Sequence, residues 1–130
     1  MTDAPRADAS ELAIAAARAA SSKQADRVVI LDMRELLVIT DCFVIASGAS
    51  ERQVKTISEE IERAIRDLGA KPVRREGDRE ASWILLDFVD FVAHVFLAEE
   101  REFYDLERLW ADAPRIAWET EGAEEATTRA

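Results

Sequence analysis

The chain has 130 residues, 48% apolar and 34% charged, with a formal net charge of −10. That length holds one domain, and the balance is globular rather than disordered. The acid excess argues against a nucleic-acid backbone as the main partner, because such binders cluster Lys and Arg, and favours a basic protein surface instead.

A single Cys excludes an internal disulfide, and Met1-Thr2-Asp3-Ala4-Pro5-Arg6 carries no apolar core of a secretion signal. The longest near-apolar run, Trp83 to Ala98, contains Asp87, Asp90 and His94. It falls short of the roughly 20 residues a membrane helix needs. The expectation is a cytoplasmic protein with no membrane partner.

Residues 1–8 read as a flexible leader. Ser10 to Gln24 is rich in Ala, the best helix former, with a thin apolar stripe at Leu12, Ile14, Ala15 and Ala19 that suits close packing on a sheet. Val28 to Met33 is apolar on both alternating faces and reads as an interior strand, as does Asp41 to Ser47, stopped by Gly48. Arg34 to Thr40 carries no clear pattern. Ser50-Glu51-Arg52-Gln53 fits a capping box, followed by Val54, Ile57, Ile61, Ala64, Ile65 and Leu68 on one helical face, with Gly69 at the C-terminal cap.

Lys71 to Glu76 is charged and carries Pro72, the marks of an edge strand. Ser82 to Phe88 and Phe91 to Leu97 are two β-rich runs two residues apart, an antiparallel hairpin. Glu99 to Trp110 reads as a helix. Its apolar stripe is Phe103, Leu106 and Trp110, widened by Leu109, and Phe103 and Leu106 are expected to dock on the protein's own sheet. The order αββαβββα describes an α/β domain over residues 9–118 with a small mixed sheet. Residues 119–130 read as a disordered acidic tail, in which Glu119, Glu121, Glu124 and Glu125 against Arg129 give −3.

This layout has more apolar strand than its three helices can cover. Trp83, Leu85 and Asp87 project from one side of their strand and Ile84, Leu86 and Phe88 from the other. One side is expected to lie under helices and part of the other to await a partner.

Little in the sequence points to catalytic chemistry. Cys42 and His94 sit among apolar neighbours on strands, where a small hydrophobe and a hydrogen-bonded imidazole are the preferred readings. No second His and no Cys pair exist to build a zinc site. Asp87 and Asp90 resemble a metal-binding carboxylate pair, but residues three apart on a strand face opposite sides, and Asp90 falls at the turn. Ser47-Gly48-Ala49-Ser50 before a helix could receive a phosphate, yet one Gly is a weak signal, and a turn with an N-cap is preferred. No catalytic residue, cofactor or metal site is assigned. Tyr104 and Trp110 are amphipathic rings of the type enriched at protein interfaces.

With these residues laid out, the chain resembles the ribosomal silencing factor family, also called the Iojap family. The resemblance is carried by Ile39-Thr40-Asp41-Cys42-Phe43-Val44-Ile45-Ala46-Ser47-Gly48, Ser50-Glu51-Arg52-Gln53-Val54, Trp83-Ile84-Leu85-Leu86-Asp87, Asp90, His94-Val95-Phe96, and Arg101 through Trp110. It implies a nucleotidyltransferase-like shape without that activity. It also implies binding to ribosomal protein L fourteen on the large subunit, which blocks joining of the small subunit and slows translation when nutrients are short. By position, the family's contact surface maps onto the Trp83–Asp87 strand and the Tyr104–Trp110 segment.

The expected contact set is therefore Trp83, Leu85, Asp87, Tyr104, Glu107 and Trp110. The rings would supply affinity, and Asp87 and Glu107 would pair with basic side chains of the partner. The alternatives are a small metal-dependent nucleotidyltransferase using Asp87 and Asp90, and a homodimer formed off the ribosome over the same rings. One departure from the family stands at Val89, where Gly is usual: a β-branched residue resists the positive φ that such turns favour.

Overall fold

The computed structural model describes residues 8–119. Nine elements follow in chain order: helix α1 (Ala9–Ser22), strands β1 (Asp26–Asp32) and β2 (Cys42–Gly48), helix α2 (Glu51–Asp67), strands β3 (Arg74–Glu76), β4 (Trp83–Asp87) and β5 (Phe91–Leu97), and short helices α3 (Ala98–Tyr104) and α4 (Leu106–Leu109). The strands form one sheet in the order β1-β2-β5-β4-β3, in which only β2 and β5 run parallel. The mixed α/β architecture expected from the sequence is therefore present. The leader and the acidic tail lie outside the described residues, apart from Asp8 and Glu119.

One side of the sheet is closed by α1 and α2. Asp8 caps α1, taking the Glu11 N–H at 2.9 Å while the Glu11 carboxylate reaches back to the Asp8 N–H at 3.3 Å. Leu12, Ala13, Ala16, Ala17 and Ala20 are buried, so the small side chains do allow the close approach read from the sequence. From α2, Val54, Ile57, Ile61 and Ile65 bury against the same core as Ile30, Val44, Ile84, Leu86, Phe91 and Val95. Each such aliphatic chain contributes roughly 1.5–3 kcal/mol by leaving water.

At the start of α2, Ser50 Oγ accepts the Gln53 N–H as expected, at 3.1 Å. The Gln53 side chain departs from the expected box. Its Oε1 accepts the Ala49 N–H at 2.7 Å, and its Nε2 donates to the Lys23 and Gln24 carbonyls, tying the two helices together. The Ala49 N–H at the candidate phosphate turn is thereby taken.

Strand β1 lies at the edge of the sheet, contrary to the interior position its apolar faces suggest. Its outer side is sealed by the chain beyond α4. Asp32 N–H donates to the Pro114 carbonyl and Ile116 N–H to the Ile30 carbonyl, with Leu31 and Arg115 forming an antiparallel bridge. Trp118 Nε1–H donates to the Val28 carbonyl at 2.9 Å, and Arg18 holds the Trp118 carbonyl at 3.0 Å. Apolar faces thus reflect cover from both sides and along the edge, which strand periodicity alone does not separate.

The predicted Glu99–Trp110 helix is broken. Asp105 adopts the left-handed conformation, with φ of 51°, and divides α3 from α4. Asp is among the few residues that tolerate this region. The break turns Phe103 outward, 78% exposed, so the expected docking of Phe103 on the sheet does not occur, whereas Leu106 does pack against it.

Candidate functional site

The side of the sheet away from α1 and α2 carries a second, smaller core of Leu31, Met33, Ile45, Phe96 and Ala113. Its cover among the described residues is thin: α3, α4 and the turn after them, with Leu37 from the segment between β1 and β2. Trp83, Leu85 and Asp87 alternate with buried Ile84 and Leu86 along β4 and remain half-buried on this side. This is the incomplete cover expected of them.

Trp83 organises the aromatic residues here. Its ring lies 4.7 Å from Phe96 and 4.6 Å from Tyr104, centroid to centroid. Trp83 Nε1–H donates to His94 Nδ1 at 3.2 Å. Indole N–H is a donor only, so His94 Nδ1 carries no proton and the imidazole is the Nε2–H tautomer. Burial pushes the His94 pKa down to about 4, which keeps the ring neutral and able to accept. His94 is thus a buried partner of Trp83, in line with its structural reading. Cys42 is buried and its thiol is pushed up to about 11, mainly by desolvation, which leaves it an inert hydrophobe.

The hairpin turn explains Asp87. Val89 has φ of 76°, and the Asp90 N–H donates to the Phe88 carbonyl at 2.9 Å, a γ-turn centred on Val89. Asp87 Oδ1 accepts the Val89 N–H at 2.9 Å, and Oδ2 lies 3.6 Å from Arg74 Nη2. The chain therefore holds a β-branched residue at the positive φ that Gly would occupy freely, with Asp87 as the brace. Among the described residues, no group of three or more His, Cys, Asp or Glu is placed to hold a metal ion.

Tyr104 closes α3 and is exposed on its outer side; Trp110 follows α4, half-buried, its ring edge-on to Phe43 at 6.4 Å. Glu107 points inward. Its carboxylate takes two hydrogen bonds from Arg101, the shorter at 2.6 Å. Desolvation raises the Glu107 pKa, but the Arg101 hydrogen bond and charge outweigh it, and the net direction is down. The structure thus brings Trp83, Leu85, Asp87, Tyr104 and Trp110 around one surface and commits Glu107 to a buried cation.

Two residues missed in the sequence join this surface. Phe103 and Leu109 are exposed and line an open depression with Glu102, Tyr104, Asp105 and Arg108. The signal available was Asp105, a residue type suited to a left-handed break in an otherwise helical stripe.

A family model described as "Ribosomal silencing factor during starvation" matches residues 6–130. A ribosomal silencing factor of Halalkalibacterium halodurans is 41% identical over 109 residues, covering 84% of this chain and 93% of that one. A more distant mouse relative, named mitochondrial assembly of ribosomal large subunit protein 1, is 36% identical over 74 residues, covering 55% of this chain and 32% of its own. The crystal structure of a Chromobacterium violaceum protein superposes with a TM-score of 0.78 at 30% identity, covering 81% of this chain and 88% of that one.

Proposed function

The chain belongs to the ribosomal silencing factor family, and from that premise we propose that it represses translation by occupying the large ribosomal subunit and sterically excluding the small one. The contact is made by the half-covered side of β4 with Tyr104, Trp110 and the exposed Phe103 and Leu109, against ribosomal protein L fourteen. The observation that carries this reading is the incomplete second face: Trp83 and Tyr104 in tilted ring contact at 4.6 Å, with exposed apolar side chains beside them. Such clustered, partly desolvated aromatic residues are what interface hot spots are built from. The net charge of −10 suits a basic protein partner and disfavours the surrounding RNA phosphates. Large-subunit involvement is also consistent with the name of the mouse relative.

Exclusion of this kind requires no bond to be made or broken. Asp87 braces the hairpin turn and presents what remains of its charge at the rim, while the rings form the centre. The test is pelleting of the purified chain through a cushion with isolated large and small subunits. The wild type is expected with the large subunit only. Trp83→Glu is expected to abolish binding but also breaks the His94 hydrogen bond. Leu85→Lys is the cleaner probe, because Leu85 makes no such bond and its cross-strand neighbours are Glu76 on β3, which attracts a cation, and the neutral His94 on β5. Normal binding by a folded Leu85→Lys chain would place the contact elsewhere.

A further inference from the structure

The two helical pieces beside β4 are too short to hold their own shape. Helix α3 has seven residues and α4 has four, neither has a side-chain N-cap, and a left-handed residue separates them. Isolated helices of this length are marginal in water, so tertiary contacts must fix them. One side chain stands out. Arg101 is 1% exposed, although it sits in the charged run Glu99-Glu100-Arg101-Glu102. Its Nη1 donates to the Asp26 carbonyl at 3.0 Å and to Ser47 Oγ at 3.1 Å. Its Nε and Nη2 donate to the Glu107 carboxylate at 3.3 and 2.6 Å. A single guanidinium therefore joins α3 to β1 and β2 on one side and to α4 on the other.

We propose that Arg101 and Glu107 are positioning residues for the docking surface: together they set the angle between α3 and α4, and so the placing of Tyr104 over Trp83 and of Trp110 against Phe43, without touching the partner. The inference rests on the proposed docking reading. Arg101 and Tyr104 are three residues apart on α3, and Glu107 lies three residues before Trp110, so each end of the ion pair governs one ring. The planar fork of Arg fits this role, since it binds a carboxylate with two parallel hydrogen bonds while its remaining donors reach backbone and hydroxyl acceptors. Lys, a point charge, cannot hold both directions. Glu107 thereby changes from an expected partner contact to a support behind one.

The test uses the full chain and purified large ribosomal subunits. Arg101→Met with Glu107→Leu removes both charges together, which avoids leaving either buried alone. Arg101→Lys serves as a milder variant should the double substitution not fold. Either is expected to weaken binding about tenfold, by displacing the rings rather than by removing a contact. In a Tyr104→Ala, Trp110→Ala background the same changes are expected to alter affinity by less than about twofold, because the residues they act through are gone. A purely structural role would weaken binding equally in both backgrounds, and that result would overturn the proposal. So would a Glu107→Gln chain whose binding loses salt dependence, since that marks a direct contact. If wild-type chain does not bind large subunits, the docking reading fails. The pin is then tested by the near-ultraviolet circular dichroism of the free protein, where a Tyr104–Trp83 signal unchanged in Arg101→Lys would refute it.

Discussion

The two sides of this sheet are built from the same strands and closed in different ways. On the side of α1 and α2, two long helices supply continuous apolar faces, and Ile30, Ile57, Ile61, Ile65, Ile84 and Leu86 are fully buried. On the other side, α3 and α4 are short, joined by a left-handed residue and pinned by the Arg101 guanidinium to Glu107, Asp26 and Ser47, and the residues of β4 facing them stay half-covered. Alternation along β4 puts Leu85 and Leu86 one residue apart on surfaces with opposite tasks. The contrast lies in the cover rather than in the strands, and it separates stability from docking.

The largest effect that would sharpen the contrast is on stability. Leu86→Ala should destabilise the chain by about 3 kcal/mol through a cavity under α2, whereas Leu85→Ala should cost less than about 1 kcal/mol. Urea unfolding of both variants checks this, and equal losses would break the distinction between the two sides.

A smaller effect concerns acid. His94 is the only His, and its pKa is lowered from 6.5 to about 4 by burial. The unfolded chain then binds a proton that the folded chain refuses, so its contribution is present above pH 6.5 and is lost as pH falls toward 4. By pH 5 the loss should be about 2 kcal/mol, from the linkage relation. His94→Asn, whose amide oxygen can stand in for Nδ1 toward Trp83, should show no such slope between pH 7.5 and 5. The carboxylates with lowered pKa values, Asp32, Glu60, Asp78 and Glu107, lose their contributions only below that window. An unaltered slope in His94→Asn would show that another group carries the dependence.

The smallest effect is at the turn. Val89→Gly removes the strain of a β-branched residue at φ of 76° and should stabilise the chain by about 1 kcal/mol in thermal unfolding, net of the entropy Gly adds to the unfolded chain. Asp87→Ala, which removes the brace, should shift stability the other way.

Much of the covered side was legible in the residues. The helical spacing of Val54, Ile57, Ile61 and Ile65, the Ser50 cap, Gly69 after α2 and the β4–β5 hairpin all appear where local pattern placed them. These are features of near neighbours in sequence, for which periodicity and capping chemistry are sufficient. The open side was legible only in part. Trp83 and Leu85 showed as apolar residues without enough cover, but Glu107 read as a surface acid because its partner lies in a charged run that looks solvated. Phe103 read as core because an unbroken helix was assumed through Asp105. The edge position of β1 was hidden for a related reason: the Pro114–Trp118 segment that seals it lies far along the chain and carries no strand pattern of its own.

The central claim, that the half-covered side of β4 is what excludes the small subunit, is tested most directly by extending the pelleting experiment to a sucrose gradient of large and small subunits at joining conditions. With wild-type chain, the joined-ribosome peak should fall and the chain should migrate with the free large subunit; with Leu85→Lys the joined peak should return to its level without the chain. A folded Leu85→Lys chain that still suppresses joining would contradict the account.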